Sequence, residues 1–146
     1  MTTVVYKNGY IAVDSLTLAG DILFSNRAQK IKDLGNGNFM AGTGVVSASQ
    51  KLADYIKKNG LVDLHLSEIK NKDNQYICWY GKQLYMIDSE LHPMKLDLKN
   101  VYAFGSGREV ALGVLHSPRT TAQDAVKVAI KLDVYSGGKV RFRQCV

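Results

Sequence analysis

"MTTVVYKNGYIAVD", residues 1–14, holds two apolar runs split by Lys7, Asn8 and Gly9. Asn-Gly is the strongest short-range hairpin signal, because both residues tolerate the positive φ that a tight primed turn needs. The chain therefore opens as a β-hairpin. Thr2 and Thr3 stand at the head of its first strand. Strand propensity alone accounts for threonine there. A hydroxyl at that place is also a reactive group on a rigid mount, and the rest of the chain bears on which reading holds.

A second hairpin follows at "KIKDLGNGNFMAGTG", where "GNGN" reverses the chain between "KIKDL" and "NFMAG". Ser47 and Gln50 then form a capping-box pattern, and Ala48, Leu52, Tyr55 and Ile56 share one helical face until Asn59 and Gly60 stop the run. Residues 61–74 are polar and read as a connection with room for a short helix. "QYICWYGKQLYMID" brackets another Gly-containing turn with aromatic and β-branched residues, and "KNVYAFGSG" reads as a strand entering a small-residue turn. "REVALGVLHS" supplies Val110, Ala111, Val114 and Leu115 to one helix. Thr121 and Asp124 open another, with Ala122, Ala125, Val126, Ala129 and Ile130 as its apolar stripe. "GGKVRFRQCV" closes the chain as a strand. Strands, one helix, strands, two helices and a strand, joined by hairpins, predict an α+β layered sandwich.

The 146 residues suit one domain spanning 1–146, with no repeat or linker-like stretch to divide it. No apolar run approaches the ~20 residues of a membrane span. Lys7, Asn8 and Gly9 interrupt the first apolar stretch too early for a signal peptide, so a cytoplasmic location is expected. Cys78 and Cys145 have neither metal-knuckle spacing nor the number a disulfide scaffold needs, and read as structural thiols. The formal charge of +6 comes from Lys and Arg scattered singly or in pairs, which points to a solvated basic surface and not to nucleic acid.

The familiar catalytic patterns are missing. His65, His92 and His116 lie far apart without acidic neighbours at ligand spacing, so no metal is expected. "GSG" at 105–107 follows a strand and precedes a helix, but it lacks the third glycine of the dinucleotide fingerprint and a P-loop lysine. No GxSxG is present, and no His or Cys has a partner for a triad. One nucleophile needs no histidine, namely an amino-terminal threonine whose own α-amine takes the hydroxyl proton. Thr2 qualifies once Met1 is gone. Such chemistry needs a lysine to lower the amine pKa, a carboxylate to hold the lysine, and a backbone N–H for the oxyanion.

"TTVVY", "GYIAVDS", "NRAQKI", "FMAGTG", "FGSGREVALG" and "LDVYSGG" occur in the order and approximate spacing seen in proteasome β-type subunits and the HslV-type bacterial peptidase. The resemblance covers nearly the whole chain. It implies an αββα four-layer sandwich of the amino-terminal-nucleophile type, with the family's second helix shortened or absent because the stretch before "QYICWY" is short. It also implies roles for individual residues. Thr2 matches the catalytic threonine, Asp14 the aspartate ending the second strand, and Lys30, sixteen positions further on, the lysine. Gly42 matches the oxyanion-hole glycine. Ser106, Asp133 and Ser136 match the groups supporting the terminal amine. Thr17, Ala28 and Met40 match the first substrate pocket, which suggests an apolar residue on the cleavage side.

The function this implies is threonine-type endopeptidase activity on peptides or unfolded proteins, without a cofactor, in a self-compartmentalising homo-oligomeric ring. The helices after "GSG" and after Thr121 are its expected contact surfaces, and an ATPase partner is left unspecified. Two alternatives stay open: a non-catalytic assembly subunit, and an amidohydrolase acting on a small amide with the same machinery.

Overall fold

The turn at Asn8 (φ 49°) and Gly9 (φ 82°) takes the left-handed geometry its sequence demands and pairs β1 (Thr3–Lys7) with β2 (Tyr10–Val13). A computed structural model describes residues 2–20, 22–62, 64 and 73–146. The hairpin β3 (Thr17–Ala19) and β4 (Ile22–Ser25) comes next, unforeseen in the sequence and exposing Ile22, Leu23 and Phe24. Asn36 and Gly37, both at positive φ, join β5 (Ile31–Gly35) to β6 (Asn38–Gly42). Helix α1 (Val46–Asn59) follows. Then come β7 (Tyr76–Tyr80), β8 (Gln83–Ile87) and a short β9 (Pro93–Lys95). The chain finishes with β10 (Tyr102–Gly105), α2 (Arg108–Leu115), α3 (Ala122–Leu132) and β11 (Arg141–Gln144).

Two large antiparallel sheets form, in the orders β10-β1-β2-β11 and β5-β6-β7-β8-β9, beside the two-stranded β3-β4. Strand alternation sorts their side chains into three apolar clusters. Val4, Tyr6, Ile11 and Val13 meet Phe39, Ala41, Ile77 and Trp79 between the sheets. Val5 and Ala12, on the other face of the first sheet, pack under α2 and α3. Met40, Tyr76 and Cys78, on the other face of the second, pack under α1 through Leu52 and Ile56. The layers therefore run helix, sheet, sheet, helix pair, which is the αββα sandwich. Among the described residues α1 alone covers the second sheet, in keeping with a shortened second helix; the connection read at 61–74 lies largely outside the described residues.

The start of α1 differs from the capping box read at Ser47 and Gln50. Its N-cap is Val45, with no side-chain cap; Ser47 lies inside the helix, and Gln50 donates instead to Asp54 at 2.9 Å. A tertiary contact sets this boundary, because Val45 N–H donates to the Asn74 side chain. Thr121 and Asp124 do form the reciprocal cap of α3, the helix whose last turn delivers Asp133. Thr121→Ala removes one half of that box and lowers the unfolding free energy by about 1 kcal/mol, measured by urea denaturation with an unchanged slope.

Candidate active site

Thr2 lies just before β1 and is only 4 % exposed. Its carbonyl accepts from Ser106 N–H at 2.9 Å. This approach is close because Gly105, at φ +94°, has no Cβ; one placed there falls 1.7 Å from the Thr2 carbonyl oxygen. Gly107 likewise leaves room for the Thr3 hydroxyl. The "GSG" turn is a socket for the first strand.

Asp14 follows β2 and is fully buried. Its Oδ1 accepts from Thr3 N–H at 3.1 Å and from Lys30 Nζ at 2.9 Å, while Oδ2 accepts from Gly137 N–H at 3.0 Å and Leu16 N–H at 3.3 Å. Lys30 Nζ also donates to Thr2 Oγ1 at 2.7 Å. The Lys30 side chain is 9 % exposed. Burial pushes its amine below the usual lysine range, and the Asp14 charge and hydrogen bond work against that shift.

A second cluster sits on the other side of β1. Asp133 Oδ2 accepts from the hydroxyls of Ser106 at 2.5 Å and Ser136 at 2.6 Å, and Oδ1 accepts from Tyr135 N–H at 3.2 Å. Partial burial alone would raise the Asp133 carboxyl, but these hydrogen bonds hold it below the ordinary aspartate value. Since Ser136 spends its proton on Asp133, the Thr3 hydroxyl is the donor in the 2.7 Å contact between Thr3 Oγ1 and Ser136 Oγ. Thr3 therefore joins the two clusters: its N–H reaches Asp14 and its side chain reaches Ser136.

Three cavities meet at Thr2. One of about 540 Å³ is lined by Leu16, Leu18, Phe24, Val45 and Val46 among others, and is mostly apolar. Another, of about 340 Å³, carries Thr43, Asp73, Gln75, Ser106 and Arg108. The third, of about 40 Å³, is bordered by Thr17, Ala28, Lys30 and Gly42. Thr17 and Ala28 both border this small cavity beside Thr2. Met40 lines none of these cavities and is fully buried under α1, because alternation along β6 turns it away from the flanking Phe39 and Ala41. Gly42 closes β6 with no space for a Cβ, which would fall 2.6 Å from both Ser49 Oγ and the Tyr76 ring.

Thr3 as a linker, Asn74 and the β3–β4 hairpin carry no motif that marks them in the sequence. The threonine doublet was the available signal for Thr3. Among the described residues no cluster of His, Cys, Asp and Glu could hold a metal ion, and no helix is long and apolar enough to cross a membrane. Cys78 and Cys145 are both free thiols, pushed up to about 12 by burial.

No protein-family model matches the chain. The proteasome subunit beta of Nanoarchaeum equitans (strain Kin4-M) is 28 % identical over 178 aligned residues, covering 94 % of this chain and 89 % of that protein. Among solved structures, the HslV of Trypanosoma brucei superposes with a TM-score of 0.72 at 15 % identity, covering 97 % of each chain. Thiobacillus denitrificans BPH, solved in complex with epoxomicin, gives 0.70 at 21 % identity, covering 99 % of this chain and 98 % of that one. The fold is that of these amino-terminal-nucleophile hydrolases, and the likenesses support the resemblance carried by the sequence motifs.

Gly105→Ala sets a methyl group against the Thr2 carbonyl at a φ that alanine resists. It lowers the unfolding free energy by about 2–4 kcal/mol and displaces Thr2, seen as a lower melting temperature and as loss of hydrogen-exchange protection at Ser106.

Proposed function

We propose that this chain, whose relative and structural neighbours support the proteasome β/HslV-like family, is a threonine-type peptidase that acts once Thr2 is its first residue. The observation that carries this is the Lys30 ammonium, buried between Thr2 Oγ1 and Asp14 Oδ1. A cation in that place stabilises the negative charge that develops on the hydroxyl oxygen as its proton leaves, and lowers the pKa of the nearby α-amine.

The free amine of Thr2 takes the Oγ proton, directly or through water, and Oγ attacks the peptide carbonyl. Gly42 N–H, at the rim of the small cavity, receives the oxyanion. Collapse of the tetrahedral intermediate breaks the C–N bond, the protonated amine returns its proton to the leaving nitrogen, and an ester to Thr2 remains. Water, deprotonated by the same amine, then cleaves the ester. Asp14 orients Lys30; Ser106, Asp133 and Ser136 hold the main chain that carries the amine. The apolar cavity accepts the acyl side of the substrate, and the small cavity bordered by Thr17 and Ala28 serves as its first pocket. By the same family likeness the chain works in a homo-oligomeric ring that encloses the sites. A small-amide substrate uses the same steps.

Removal of Met1 is the condition for activity, because an amide nitrogen on Thr2 is not basic. Fractions sorted by intact mass hydrolyse fluorogenic peptides in proportion to the share beginning at Thr2. Thr2→Ala, likewise freed of Met1 and still folded, loses the nucleophile itself and with it at least ~10²-fold of the rate, and no longer binds epoxomicin. A homogeneous Thr2-starting protein that turns over neither peptides nor a panel of small amides leaves the assembly-subunit reading in its place.

The pH profile follows from the same groups. Activity rises as the Thr2 amine loses its proton, at or below the ~7.7–8.0 of a free α-amine because Lys30⁺ disfavours its charge. It falls again when Lys30 itself deprotonates, below the ordinary lysine value of 10.5. A rate-against-pH curve rising monotonically to pH 11 contradicts Lys30 as the required cation.

A further inference from the structure

The wall facing Thr2 is the backbone from Gly42 to Val45, and Gly44 borders all three cavities there. Little in that stretch holds itself in place. Gly44 sits at φ +89°, and α1 begins after it without a side-chain cap. What fixes the wall comes from residues 74–76, about thirty positions later. Thr43 N–H donates to the Gln75 carbonyl at 2.8 Å, and Gln75 N–H donates to Thr43 Oγ1 at 3.2 Å. Asn74, 1 % exposed, accepts from Val45 N–H through Oδ1 at 2.8 Å and donates through Nδ2 to the Tyr76 hydroxyl at 2.9 Å. A Cβ at Gly44 would fall 1.8 Å from Asn74 Oδ1, so the turn is shaped around that amide. Tyr76 is the strand partner of Gly42, and its ring fills the space where a Gly42 side chain would stand.

A buried amide costs free energy unless both ends are satisfied. Here one end is satisfied by the wall and the other by the residue pressed against Gly42. We infer that Asn74 is a positioning residue for the oxyanion-binding wall, holding Gly42 and Gly44 at the distance from Thr2 that the reaction needs, with Tyr76 fixing the Asn74 amide. This rests on the peptidase reading above. It has a chemical signature, because a wall that drifts by ~1 Å weakens the developing oxyanion's hydrogen bond far more than it weakens substrate binding.

The test uses Thr2-starting protein carrying Asn74→Ala, Asn74→Asp or Tyr76→Phe, with kcat and KM on one fluorogenic peptide taken per folded molecule. Asn74→Ala is expected to lower kcat by ~10- to 100-fold with KM within about twofold. Asn74→Asp keeps an acceptor for Val45 N–H, and the Tyr76 hydroxyl can turn to donate to it, so it recovers most of kcat. Tyr76→Phe, which removes one oxygen and keeps the ring against Gly42, serves if Asn74→Ala does not fold, and lowers kcat ~3- to 10-fold. The inference alone falls if wild type is active and the variants keep its kcat per folded molecule, if only KM moves, or if Asn74→Asp is as slow as Asn74→Ala. If Thr2-starting wild type neither hydrolyses peptide nor takes epoxomicin, the peptidase reading falls and this inference with it.

Discussion

A carboxylate taken fully out of water must find donors for nearly all its lone pairs, and Asp14 finds four. Those donors come from the first strand, the segment just beyond β2, the lysine before β5 and the glycine loop before β11. Removing the carboxylate would strand a buried ammonium, and replacing the pair by apolar residues would empty the position next to Thr2 Oγ1 of charge. The pair contributes little net stability of its own; what it fixes is where four backbone segments stand relative to the first hydroxyl.

The remaining polar groups extend this constraint. Thr3 carries it through the strand, with its amide on the Asp14 side and its hydroxyl on Ser136, and Asp133 gathers Ser136 and Ser106. Because Asp133 is the C-cap of α3, the outer helix layer also takes part in aligning Thr2. The layered sandwich is thus more than a scaffold under the site. At "GSG" the absent side chain of Gly105 lets the turn approach the Thr2 carbonyl to hydrogen-bonding distance, and at "MAG" Gly42 leaves room for the Tyr76 ring and Ser49.

Much of this was legible where the determinant is local. Asn8-Gly9 and Asn36-Gly37 prescribe turns by their tolerance of positive φ, and Thr121 with Asp124 prescribes a cap within one helical turn. The start of α1 was misread because Asn74, 29 positions away, sets it. The β3–β4 hairpin escaped because its apolar residues are exposed and do not alternate against a core. The convergence of Asp14, Lys30, Ser106, Asp133 and Ser136 has no local signature at all. It was legible only as an ordered set of motifs resembling a family, and the geometry now gives each motif a physical partner. Met40, which the same resemblance puts in the first pocket, is turned under α1 by strand alternation.

The seating of the first strand also orders events in time. Thr3 pairs with Gly105 and the Thr2 carbonyl holds Ser106, so the strand cannot be closed in until more than a hundred residues have been made. At the usual ~5–20 residues per second of synthesis, that leaves on the order of ten seconds in which the chain's start is uncovered. Afterwards Thr2 is 4 % exposed and its neighbour wholly enclosed. Whatever acts on Thr2 before folding therefore meets an open segment, and whatever arrives later meets a residue already seated.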